Sequence, residues 1–575
     1  MPRNPRVFPV LLAMGVLFVS CGPSSSVPRD RETAAAPAQQ GAPKRVVAAI
    51  AGDPYTLSAK LNTSGPGSNV PGADALEDLV NAGLANMDNR SQLHPVLAEA
   101  APSIENGQWR LFADGRMETT WKLRPGIVWH DGAPFTTADL LFTTQISQDP
   151  DIGWEHDAAF DAIESVTAPD DQTLTVTWKR PFIEADTLFS HAVSGRTVPL
   201  PKHILEQPYT EDKANLMNQP YWSEQFVGTG PFKLRSWERG NRLIVDANPQ
   251  FVLGRPHLDE VEVKFFADSR TMAASILAGA IDFTMGRGIS LEQATQIRDQ
   301  WPDGRMDLRL NNWLVAFPQL LDPTPQVVTN LQFRRALLSG IDRQQMVDTL
   351  QFGLTPVGHT YLNPEDPAYA EVAPTVPRYD YDPRKSMQLI EELGYTRGGD
   401  GLYHDASNQP LAIEVRVGGG DDLTEKTTLA VADSWRRIGI AAEGLIVPAQ
   451  RIRDREYAAT FPAFYLRQNP NDPARLGRFR SAQIPLPANR FTGDNSPRYA
   501  NPDFDTLLDR YAATIPLPAR RQALGQIVTH IADQVIMMGL FYISEPTLIA
   551  NRVQNVTARP PASTQAWNAV EWDVK

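Results

Sequence analysis

The segment from Leu411 to Val447 constrains this chain more than any other. Leu411 to Val417 reads as a strand, Leu423 to Ile438 as a helix and Ile440 to Val447 as a second strand. Strand, helix and strand in that order make a crossover, and a crossover through a helix places the two strands parallel in one sheet. The link Gly418-Gly419-Gly420-Asp421-Asp422 brings backbone amides to a helix start. Its two acids oppose an anion there, so the spacing predicts a loop capped by Asp421 or Asp422.

Other segments extend the same mixture. Met117, Thr119, Trp121 and Leu123 share one face of a strand, with Glu118, Thr120, Lys122 and Arg124 on the other. Leu174, Val176 and Trp178 repeat the alternation, as do Val261, Val263 and Phe265, and Arg45 to Ile50 is a further short strand. Helices have readable ends. Asp382-Pro383 begins one that runs through Leu389, Ile390 and Leu393 and stops at Gly394. Asp342 begins another through Met346, Val347 and Leu350 that stops at Gly353. The class is α/β with strand-rich insertions and no internal repeat. At 575 residues the chain exceeds one ordinary domain.

The N-terminus reads as a targeting segment. Arg3 and Arg6 precede the apolar run Val7 to Val19, too short for a span of ~20 residues and suited to a signal-peptide core. Phe18-Val19-Ser20-Cys21-Gly22 resembles a lipobox, which makes residues 1–20 a lipoprotein signal peptide and Cys21 the lipidated first residue of the mature chain. Cys21 is the single Cys, so the mature body has no thiol for a disulfide, a nucleophile or a Cys-based metal site. Residues 21–44, rich in Ser, Pro, Ala, Gly and Gln, read as a flexible tether. Val535 to Ser544, bounded by Asp533 and Glu545, is read as core rather than as a span. These features predict a lipid-anchored protein in the periplasm or on an extracytoplasmic surface. A net charge of −13 argues against nucleic acid as a partner.

Candidate chemistry is thin. The nine His residues are scattered, with no pair at helical metal-site spacing, so neither a metal nor a cofactor is expected. Gly228-Thr229-Gly230 is followed by Pro231, which removes a donor that a phosphate loop would use. Ser190 and His191 are chain neighbours and do not face each other as a dyad. His130-Asp131-Gly132 is read as a turn, and Thr136-x-x-Asp139 as the capping box of a helix. No catalytic residues are assigned, and the chain is read as no enzyme.

Eight blocks then stand in order: "HPVLAEA", "TWKLRPGIVWHDGAPFTTADLLFT", "VGTGPFKLRSWERG", "NPQFVLGRPHLDEVEV", "LAGAIDF", "FRRALLSGIDRQQMV", "YDPRKSMQLIEELGY" and "WRRIGIAAE". Together they resemble the family 5 bacterial extracellular solute-binding proteins, the dipeptide and oligopeptide-binding group of ABC importers. The resemblance implies an α/β, periplasmic-binding-protein type II-like two-lobed fold with an extra domain. It implies a first lobe over 45–92, 203–310 and 541–575, an extra domain over 93–202 and a second lobe over 311–540. The implied partners are a peptide or other small solute, taken up by hinge closure between the lobes, and an ABC permease in the membrane. The implied state is a monomer.

In peptide-binding members an Asp three residues before an acidic-Pro pair grips the peptide amine. In "YLRQNPNDP" the pair is Asp472-Pro473 and the earlier position is Asn469. An amide lacks the charge that would hold an ammonium, a difference of roughly 1.5–3 kcal/mol. Arg467 lies two residues before Asn469, Leu466 stands where the family often has Trp, and Pro318 replaces the usual Asn of "Y-x-x-F-N". The implied ligand contacts are Tyr465, Arg467, Gln468, Asn469 and Asp472. Asn469 and Arg467 would suit a neutral or anionic group, or an N-blocked peptide. The alternatives are a non-peptide solute (oligosaccharide, metal chelate or haem) on the same fold, and a surface hydrolase. Twelve Trp residues could supply stacking surfaces, although most are expected in the core.

Overall fold

The structure is a computed structural model. It describes residues 42–575 except 64–69, 153–156, 193–195, 287 and 561–562. The signal-peptide reading, Cys21 and nearly all of the tether lie outside the described residues. Residues 43–575 form one compact body.

The crossover is present as read. Ala412–Gly418 and Ala441–Val447 pair in parallel, Ala412 with Ala441 through Gly418 with Val447, and the helix Asp422–Arg437 joins them. Asp421 is the cap and accepts from Thr424 N at 2.8 Å. This pair forms one edge of a ten-stranded sheet. The order is Ala441–Val447, Ala412–Gly418, Phe464–Asn469, Gly304–Pro318, Met538–Ala550, Phe283–Thr284, Arg45–Ala51, Glu260–Phe266, Arg242–Ala247 and Phe232–Glu238. The two long central strands, Gly304–Pro318 and Met538–Ala550, are antiparallel and run from one half of the sheet into the other. Their register slips between Leu310 and Asn312, leaving Asn311 as an unpaired bulge residue, and a bulge bends a strand locally. The expected lobe boundaries at 310/311 and 540/541 fall inside these two strands.

Apolar cores sit on either side of that bend. Val46, Ala48, Ile50, Val261, Val263 and Trp572 belong to the first. Leu314, Val415, Val431, Trp435, Phe464 and Phe541 form the second, and Trp313, Tyr361, Ile527 and Tyr542 belong to a third. Val535 to Phe541 is buried among them, as its composition suggested. The helices read from Asp382 and Asp342 run over Pro383–Glu392 and Arg343–Leu350, each with the Asp accepting from a first-turn amide.

A separate four-stranded sheet, in the order Trp109–Leu111, Met117–Lys122, Thr173–Trp178 and Ile163–Thr167, lies within the segment assigned to the extra domain. Met117, Thr119, Trp121 and Leu123 all point into its core beside Leu174, Val176 and Trp178. Behind it, Thr136 caps the helix Thr137–Gln148. Its hydroxyl accepts from Ala138 N at 3.2 Å, and Asp139 accepts from Thr136 N at 2.9 Å. Thr136→Ala is expected to cost about 1 kcal/mol, read as a lowered denaturation midpoint, because the Ala138 amide loses its side-chain acceptor while the Asp139 half of the box remains.

Candidate functional site

His130 and Asp131 resolve as structural. The His130 Nε2 meets Gly230 O at 3.1 Å and its Nδ1 meets Gly228 N at 3.3 Å, so the ring clamps the turn Gly228-Thr229-Gly230. Burial pushes its pKa down to about 4, so it is the neutral ring, with one nitrogen donating and one accepting. Gly228 is required by close approach, since a Cβ there would lie 2.0 Å from the Val80 carbonyl oxygen. Asp131 pairs instead with His203, at 2.7 Å. Ser190 donates to Thr187 O and His191 Nε2 meets Asn81 O, so these neighbours face different partners. Among the described residues no three His, Cys, Asp or Glu side chains gather as a metal-ligand set. Of the described tryptophans all but Trp567 are buried.

The ligand-contact candidates lie on and after the strand Phe464–Asn469. That strand pairs in parallel with Ala412–Gly418 and antiparallel with Gly304–Pro318, Pro318 facing Phe464 and Trp313 facing Asn469. Alternation fixes the faces. Phe464 and Leu466 point into the core under Trp435, so Leu466 offers no surface to a solute. Tyr465, Arg467 and Asn469 take the opposite face. Tyr465 packs on Phe461, ring centres 5.6 Å apart. Gln468 Nε2 reaches Asp421 Oδ2 at 3.2 Å, which ties the strand to the capped end of the crossover helix.

Asn469 is buried, and both polar atoms of its amide have a partner. Its Nδ2 donates to Pro470 O at 2.8 Å, and its Oδ1 accepts from Arg478 Nη1 at 2.8 Å. Arg478 also donates from Nε to Asp494 Oδ2 at 2.9 Å and from Nη2 to the same oxygen. Among the described residues Arg467 reaches Gln468 O at 3.4 Å and Ser496 Oγ at 3.5 Å. Burial, and then the neighbouring Arg478, hold the Arg467 guanidinium below its ordinary range, with Asp494 working the other way. Asp472 turns away from this group. It caps the following turn by accepting from Ala474 N at 2.9 Å, and its carbonyl accepts from Tyr361 OH at 2.9 Å.

The structure thus brings Arg467 and Asn469 together and adds Arg478 and Asp494, which the sequence reading missed. The one available signal was the density of Arg in "ARLGRFR", and it carries no direction. Asp472 lies close enough to Glu184 to act on it. Burial raises Glu184, and Asp472 adds to that rise. Asp186 is pushed up to about 6, again chiefly by burial. Ile183 packs against the core that holds Trp313 and Tyr542, and Ile515 packs into the core that holds Trp121 and Trp178.

A family model described as bacterial extracellular solute-binding proteins, family 5 Middle, matches residues 92–483. The oligopeptide-binding protein AppA of Bacillus subtilis (strain 168) is 24% identical over 440 residues, covering 76% of this chain and 75% of AppA. The structure of that protein in complex with a nonapeptide superposes with a TM-score of 0.68 at 20% identity, over 93% of this chain and 100% of AppA. NikZ from Campylobacter jejuni in complex with Ni(L-His) gives 0.71 at 21% identity, over 92% and 99%. The periplasmic EDTA-binding protein EppA gives 0.74 at 18% identity, over 92% and 96%. The likeness to these solved structures establishes the two-lobed, periplasmic-binding-protein type II fold.

Proposed function

The chain belongs to the bacterial extracellular solute-binding proteins, family 5, and from that premise we propose that it captures a peptide or peptide-like solute between its lobes and delivers it to an ABC permease. The family's members are binding proteins of importers rather than enzymes. The finer reading is a monomeric lipoprotein, anchored through Cys21 and held outside the cytoplasmic membrane, with Tyr465, Arg467, Gln468 and Asn469 near the solute and Asp472 capping the turn that follows them. The observation that carries it is the position of Phe464–Asn469, hydrogen-bonded to a strand that runs between the lobes. A site beside such a strand is reached when the lobes part and enclosed when they close.

A second reading, a metal chelate as solute, has its own support. An amide and a guanidinium occupy the strand end where the peptide-binding pattern has an acid, and carboxylate-rich chelates carry no ammonium for an acid to hold. EppA is described as EDTA-binding, and NikZ holds Ni(L-His).

The test is to purify the protein under native conditions, denature it and identify the released solute by mass spectrometry. A peptide lacking a free amine, or a chelate, is the expected product. Rebinding at 100 times Kd should then stabilise the solute-free protein by about 2.7 kcal/mol. A free-amine oligopeptide as the sole product would sink the role given to Asn469. No released solute, and no thermal shift across peptide and chelate libraries, would sink solute capture itself.

A further inference from the structure

Two guanidinium groups and one carboxylate meet beside Asn469, and the count does not balance. Arg478, whose side chain is 8% exposed, has a partner for each of its three nitrogens: Nε and Nη2 to Asp494, Nη1 to Asn469. Asp494 receives both of those bonds on one oxygen, Oδ2, and its side chain is 48% exposed. Among the described residues no carboxylate pairs directly with Arg467. Its two contacts, at 3.4 and 3.5 Å, exceed the ordinary range for an N–H···O bond. The group is nonetheless only partly exposed. Two residues beyond Asn469, the Nδ2 of Asn471, a residue only 3% exposed, has no partner.

Two enclosed arginines are satisfied by backbone oxygens, while Arg196 pairs with Asp157 and Glu184 and Arg416 with Glu414. Arg334 donates to Val328, Thr329, Gln534 and Val535, and Arg343 donates to Gly539 and Tyr379. Arg467 differs from both. A cation withdrawn from water without a counter-ion is costly, and a planar five-donor fork matches a carboxylate. Asp494, engaged by Arg478 through Oδ2, acts on Arg467 only without a direct bond, and the charge of Arg478 makes the deficit of anion larger.

We propose that Arg467, backed by Arg478, receives a carboxylate of the captured solute, so that the solute is an anion at neutral pH. This rests on the solute-capture reading. Asp494 holds Arg478 in place, and Asn469, whose oxygen is occupied by Arg478, serves to orient that guanidinium rather than to hold an amine.

The experiment compares the full chain with Arg467→Gln and Arg467→Lys, each purified identically and stripped of solute by denaturing extraction and mass spectrometry. The expected solute from the wild type carries a net negative charge. Its occupancy falls roughly tenfold or more in Arg467→Gln and less in Arg467→Lys, which keeps the charge but loses the fork. Solute-free Arg467→Gln should unfold at the same temperature as wild type or higher, because an uncompensated cation has gone; a clear drop would make Arg467 structural and overturn the proposal. A neutral or cationic solute, or unchanged occupancy in Arg467→Gln, overturns it while leaving solute capture intact. Thermal shifts with N-acetyl-tripeptide acids, their carboxamides, free-amine tripeptide amides and inorganic phosphate form the second measurement. Stabilisation by the acids over the carboxamides, lost in Arg467→Gln, supports the proposal. Phosphate acting as strongly as any acid would reduce the site to an adventitious anion pocket. An empty wild-type protein that responds to no probe brings down both readings.

Discussion

Replacing Trp313 by alanine is expected to destabilise the protein by about 3–5 kcal/mol, the range for emptying a large aromatic site in a packed core. Trp313 is 2% exposed and stands on the strand Gly304–Pro318, which enters both halves of the sheet. It faces Tyr542 on one neighbouring strand and Asn469 on the other. Its ring stacks on Tyr542 at 6.0 Å and meets the edge of Tyr361 at 6.0 Å. The fit is close enough that a Cβ on Gly539 would lie 2.3 Å from the indole, so the backbone there has nothing to fill the gap with. Tyr361 in turn holds the Asp472 carbonyl, and Tyr542 holds the carbonyls of Thr360 and Leu362. The loss should therefore appear twice, as a lower unfolding midpoint by circular dichroism and as weaker solute retention. A change below ~1 kcal/mol would mean that the core collapses onto the gap.

Replacing Glu77 by glutamine is expected to flatten the dependence of stability on pH and to raise stability by as much as ~3 kcal/mol above pH 8. Glu77 is 4% exposed, with its Oε2 accepting from Ala59 N at 3.1 Å. Burial pushes its pKa from 4.5 up to about 7, and the nearby His191 only partly opposes this. The folded state therefore holds a proton, between these two values, that the unfolded chain has released. Stability falls as pH rises through that window, and the penalty is complete above it. His191 acts in the same direction. Burial would lower it, but Asp78 and Glu77, with Asp74 further off, raise it on balance. A group raised in the folded state stabilises below its unfolded value, and that contribution is lost as pH rises through its folded value. The wild type should thus weaken steadily from about pH 5 to pH 8, and Glu77→Gln should remove most of that slope. Urea midpoints measured across this range decide the matter; a variant with the wild-type slope would place the titration elsewhere.

How much of this was legible beforehand depended on the distance over which each feature is set. The crossover around Asp421, the capped helices at Asp342 and Asp382, the capping box at Thr136 and the alternation of Met117 to Leu123 all appear as read. Each depends on side chains two to four residues apart acting on their own backbone. The family too was legible, because its eight blocks stand in order along the chain and 92–483 matches its model.

The candidate site was legible only in part. Asn469, Arg467 and Leu466 stood out as departures from a motif, and their faces follow from strand alternation. That Asn469 is occupied by Arg478, that Arg478 is occupied by Asp494, and that Arg467 is left over depend on a return of the chain across residues 470–496. The same holds for His130 on Gly230, Glu77 beside His191 and Trp313 against Gly539. By itself the sequence determined the elements, their caps and the family, because those rest on local periodicity and on order along the chain. Only the tertiary structure decided which charges are paired and which polar groups are buried. Desolvation and pairing act between groups tens to hundreds of residues apart, and no local pattern records that distance.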